Sequence, residues 1–156
     1  YDENTWISLS WKENGERVLR WRRAFHALGY RHGDRVAMLL TNCIDAVTFD
    51  QSAMANALVP VPLHAIDTPG SSAYILHDSD ARFLITTSLA RWNAIVKAAE
   101  DSRLSLDELD TVVIINEVIP EDTVHQVFDH KVQVMDIEKW LLKANAIAES
   151  ELPAGP

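Results

Sequence analysis

Hydrophobic positions change period along this chain, and the changes mark alternating helices and strands. Val18, Trp21, Phe25 and Leu28 recur three to four residues apart, the spacing of one helical face. Ser10 is suited to cap that helix, which is expected to reach about Leu28, with Gly29 as its left-handed stop. The turn Arg31-His32-Gly33-Asp34 leads into the unbroken apolar run Val36–Leu40, as expected of a strand covered on both faces. Asn42 then predicts an N-cap for a helix over Ile44 to Asn56, with Val47, Phe49, Ala53 and Met54 as its packing residues. Leu58–Leu63 reads as a strand, but Pro60 and Pro62 lack ladder donors. It should therefore be short or lie at a sheet edge.

The second half continues the alternation. Thr68-Pro69 is a cap followed by proline at the first helical position, opening a helix to about Asp78. Phe83–Thr86 predicts a third strand. Ser88 then caps a helix carrying Leu89, Trp92, Val96 and Ala99 on one side. Ser105 with Glu108 predicts a capping box for a single helical turn. Thr111–Ile115 is a β-branched fourth strand, residues 116–131 fit no single pattern, and Val132–Met135 suggests a fifth strand. Asp136 should cap a last helix through Trp140 and Leu141 to about Ala148. Strands separated by helices imply parallel pairing through right-handed crossovers. The expected fold is α/β, a three-layer α/β/α sandwich on a mostly parallel sheet.

Composition narrows the function classes. Of 156 residues, 47% are hydrophobic and 24% charged, which excludes disorder and is enough for a packed core without staples. A net charge of −9 argues against a general nucleic-acid surface. No apolar run approaches the length of a transmembrane segment. The single cysteine, Cys43, excludes an internal disulfide framework and fits a reducing, cytoplasmic setting. The chain opens without Met on Tyr1–Trp6, which resembles the interior of a folded protein, and Glu149–Pro156 reads as a linker. We therefore expect a piece of a longer protein, with residues 1–148 as the folded unit and 149–156 as the linker.

Motifs for chemistry are missing. The glycines at 15, 29, 33, 70 and 155 form neither a dinucleotide fingerprint nor a P-loop, and no nucleophile elbow occurs. His125 and Asp129 would share a face if their segment were helical, with His130 beside them, but no third metal ligand has clear spacing. His64, Asp67, His77 and Asp78 flank the third helix and fit turn and helix-end roles. Cys43 near a helix start is expected to be a core thiol. Arg17, Arg20, Arg22 and Arg23 are expected to form a solvated helix face. Trp21 and Trp92 lie on inward stripes, so packing rather than ligand stacking is expected of the tryptophans, which also include Trp6, Trp11 and Trp140.

Several stretches together carry a resemblance. They are Trp6-Ile7-Ser8-Leu9-Ser10-Trp11, Ala24–Gly29, Gly33-Asp34-Arg35-Val36-Ala37-Met38, Asn42, Ala57–Leu63 and Ala73–Ala81. In this order the sequence resembles the N-terminal region of AMP-forming acyl-CoA synthetases, members of the adenylate-forming superfamily with luciferases and peptide-synthetase adenylation domains. The clear match covers about residues 6–116. The Trp6 to Trp11 opening and the Asp67-Thr68 region are most similar to the long-chain fatty acid branch. Ala57 stands where the family usually has Gly, Thr41 where many members have Pro, and His64-Ala65-Ile66 departs from the usual segment.

The resemblance implies the N-terminal subdomain of an adenylate-forming ligase that couples a long-chain fatty acid to coenzyme A. ATP and magnesium would yield an acyl-adenylate, from which coenzyme A displaces AMP. The family's phosphate loop and catalytic contacts lie downstream, so no catalytic, cofactor-binding or metal residue is assigned here, and no bound cofactor is expected. Gly33, Asp34, Asn42, Pro62 and Leu63 match as scaffold, and Asn42 is expected to cap its helix through its side chain. The full protein is expected in the cytoplasm or peripherally at a membrane, and the isolated chain is expected to be inactive and to self-associate through uncovered apolar surface. Competing readings are a stand-alone flavodoxin-like or receiver-like module, whose phosphate turn or acidic pair is absent after Leu40, and a non-catalytic interaction domain retaining the ligase fold.

Overall fold

A computed structural model describes residues 8–120, 124–127 and 129–153. Trp6 and the last residues of the tail lie outside them. The elements run α1 (Trp11–Ala27), β1 (Arg35–Leu39), α2 (Ile44–Ala55), β2 (Val59–Pro62), α3 (Pro69–Asp78), β3 (Phe83–Thr86) and α4 (Leu89–Ser102). They continue with β4 (Thr111–Ile114), β5 (Val124–Val127), β6 (His130–Asp136) and α5 (Ile137–Leu142). One six-stranded sheet has the order β2-β1-β3-β4-β6-β5. All its pairs are parallel except β5 with β6. The four strands expected to pair in parallel do so, and helices cover both faces.

Strand alternation divides the core. Ala37, Leu39, Leu84, Val112, Ile114, Val132 and Val134 face α3 and α4, meeting Leu76, Trp92, Ile95 and Ala99. Val36, Phe83, Ile85, Val113 and Met135 face the other layer, meeting Trp21, Phe25, Phe49, Trp140 and Leu141 of α1, α2 and α5. There Phe25 packs edge-on against Trp140 at 4.9 Å and Phe83 at 5.1 Å between ring centroids. Pairs of this kind contribute about 0.5–1.5 kcal/mol beyond area burial. The tryptophans at 21, 92 and 140 are thus core residues, whereas Trp11 is 87% exposed.

Local chemistry explains most boundaries. Ser10 and Glu13 form a reciprocal capping box at α1, and Gly29 takes a φ of +79° just past its end. Thr68 caps α3 ahead of Pro69, Ser88 caps α4, and Asp136 caps α5. The β2 prolines are placed where they do no harm. Val59 and Leu63 donate their N–H groups to the carbonyls of Asp34, just ahead of β1, and Met38 within it. The alternate positions Pro60 and Pro62 point their missing donors off the open edge.

Several expectations fail. The residue at the α2 N-cap is Cys43, with no side-chain cap, and Asn42 is exposed one position too early to cap it. Cys43 itself is exposed, not a core thiol, because the N-cap sits on the rim of the sheet. Val47 and Met54 point outward at 52% and 47% exposure, leaving Phe49 and Ala53 as the packing residues of α2. Ser105 makes a local turn by accepting the N–H of Asp107, and no helical turn follows. Residues 124–136 form a hairpin, so His125 and Asp129 share no helical face. The last helix tightens into a 3-10 turn at Lys143–Ala146.

Candidate functional site

In an open parallel sheet, loops at the C-terminal strand ends converge where the strand order reverses, and ligands bind there. Here the reversal lies between β1 and β3. The rim is built from Leu40-Thr41-Asn42-Cys43 after β1, Thr86-Thr87-Ser88 after β3 and Ile115-Asn116-Glu117-Val118 after β4. The last two segments are stitched together by Ile115 N–H to Thr86 O at 3.0 Å and Asn116 N–H to Thr87 O at 3.3 Å. The Oγ1 of Thr86, at the C-terminal end of β3, is buried without a partner among the described residues.

The electrostatics of this rim are internally satisfied. Glu117 accepts the N–H of Leu89 at 3.3 Å, so the N-terminus of α4 already holds a carboxylate of the same chain. Arg91 donates to the carbonyl of Ala65 and ties the loop after β2 to α4. Asp136 accepts N–H groups from Ile119 at 3.1 Å and Lys139 at 2.9 Å, and Lys139 in turn donates to the Ile119 carbonyl. Burial pushes the Asp136 carboxyl up, but the backbone donors of Lys139 and Ile119 and the Lys139 charge outweigh it and hold the group below its ordinary range.

The residues singled out by sequence disperse into structural roles. His125 accepts the indole N–H of Trp92, and His130 bonds the carbonyl of Leu109 at 2.9 Å. His77 bonds the carbonyl of Ser105, and Asp67 receives the N–H of His64. No group of three metal-capable side chains occurs among the described residues. The arginine face of α1 is engaged, which corrects the expectation of a solvated face. Arg17 pairs with Asp45, Arg20 with Glu138 and Arg23 with Glu149, and Arg22 reaches Asn56 and the Pro153 carbonyl. At the opposite end of the sheet, Arg82 bridges Asp34 at 2.8 Å and Asp110 at 2.7 Å beneath Tyr30. Sequence reading missed this cluster, whose members are 28 and 48 residues apart.

Two apolar grooves open on the rim side. One, of about 450 Å³, is lined by Leu9, Trp11, Cys43, Ile44 and Val47. The other, of about 530 Å³, lies between the β4 loop and α5, with Ile115, Val118, Ile137 and Leu142. Neither offers a backbone cradle or a cluster of unpaired cations for a polyphosphate.

These features meet a clear family assignment. A profile described as AMP-binding enzyme matches residues 1–150, and the chain belongs to that family. It is 32% identical over 80 residues to a crotonobetaine/carnitine–CoA ligase of Salmonella paratyphi A, covering 51% of this chain and 16% of that protein. Against the same enzyme of Salmonella enteritidis PT4 it is 28% identical over 114 residues, covering 73% of this chain and 21% of that protein. Among solved structures it resembles the anthranilate CoA ligase AuaEII in complex with anthranoyl-AMP, with a TM-score of 0.69, 20% identity and coverage of 92% of this chain and 24% of that one. It also resembles a Mycobacterium tuberculosis fatty acyl CoA synthetase, with a TM-score of 0.60, 18% identity and coverage of 96% and 25%. These likenesses in shape establish the N-terminal α/β fold of adenylate-forming enzymes.

The chain spans 16–21% of the length of these curated relatives. The residues described here do not by themselves fit a seat for ATP. The N-terminus of α4 is filled by Glu117, and the turn after β1 has no glycine. Among the described residues, no helix is long and apolar enough to cross a membrane.

Proposed function

We infer that this chain is the N-terminal part of an AMP-forming ligase that activates a long-chain fatty acid for transfer to coenzyme A. Residues 1–148 form its first α/β unit, and residues 149–156 lead toward the phosphate-binding region. The observation that carries this reading is the family match over residues 1–150. The CoA ligases among the sequence relatives support thioester formation. The long-chain choice rests on the opening Trp6 to Trp11 and the Asp67-Thr68 segment. In the full enzyme ATP, magnesium and coenzyme A are held by residues outside this chain, which serves as scaffold and as one wall of the assembled protein.

The test is thioester formation by the full-length gene product with ATP, magnesium, coenzyme A and a panel of acids. The panel includes long-chain, short-chain and aromatic acids, and crotonobetaine. Preference for long-chain acids supports the proposal. Preference for crotonobetaine would retain the ligase class and overturn the substrate. Inactivity across the panel would favour an interaction domain that keeps the fold.

A further inference from the structure

No further inference is drawn: the strongest candidate, the pair of apolar grooves on the rim side that expose Trp11, Val47, Val118 and Leu142, carries nothing, because nothing in the structure shows what covers them and residues 1–7 and 121–123, close by along the chain, lie outside the described residues.

Discussion

Replacing Asp136 should cost this domain more than any other single carboxylate whose bonds are described here. Its carboxylate, on a residue only 5% exposed, caps α5 through Lys139 N–H and anchors the loop after β4 through Ile119 N–H. In Asp136→Ala, loss of the cap costs about 1 kcal/mol. The stranded N–H of Ile119, a residue 1% exposed, adds about 1–3 kcal/mol. The total of about 2–4 kcal/mol corresponds to a fall in Tm of roughly 10 °C for a chain of this size. Asp136→Asn keeps the shape and one acceptor oxygen and should lose about half as much.

The pH dependence follows from the direction of the shift. The folded carboxyl titrates below its unfolded value of about 3.9. Its contribution is therefore complete above that value and disappears as pH falls through the folded-state titration. Urea unfolding of the chain and of Asp136→Asn should give a stability gap that is flat between about pH 5 and 8 and closes below about pH 4. A loss under about 0.5 kcal/mol in Asp136→Ala, or a gap as large at pH 3 as at pH 7, would refute the reasoning.

Two further predictions concern the other end of the sheet. Ala57 holds a φ of +56° in the turn before β2, so Ala57→Gly should stabilise by about 0.5 kcal/mol, relief of left-handed strain exceeding the added chain entropy; a lower urea midpoint would contradict this. Burial, reinforced by the neighbouring Asp110 charge, raises the Tyr30 phenol far above its ordinary range. Its neutral form is favoured on folding, a contribution present below the unfolded value of about 10 and lost only as pH rises through the folded one. Tyr30→Phe should therefore leave the phenolate absorbance of the folded chain unchanged below about pH 11, and a phenolate signal lost with that substitution would show the reading to be wrong.

The elements that could be read from the sequence are those whose cause is local. Ser10, Thr68, Ser88 and Asp136 cap helices where their spacing suggested, and Pro60 and Pro62 confine β2 to an edge. The misreadings depend on distant partners or on a one-residue offset. Asn42 and Cys43 are adjacent, and only the extended backbone at 43 decides that the thiol residue, not the amide, occupies the N-cap. The arginines of α1 look like a solvated face until folding brings Asp45, Glu138 and Glu149 to them. Val124-His125-Gln126-Val127 is too short and polar to announce a strand, and pairing with β6 creates it. The rim at β1 and β3 was not legible as a site, because its hydroxyls and amides carry no phosphate-binding pattern and its one helix-end carboxylate, Glu117, comes from a loop the sequence left unassigned.

The central proposal is that this domain supplies scaffold to an AMP-forming ligase whose nucleotide contacts lie outside residues 1–156. ATP–pyrophosphate exchange tests it most directly, because it reports adenylate formation without requiring coenzyme A. Measured with magnesium and a long-chain fatty acid, the full-length gene product should catalyse acid-dependent exchange, and residues 1–156 alone should catalyse none. Exchange by the isolated chain would contradict the account, and so would its absence from the full-length protein with every acid tried.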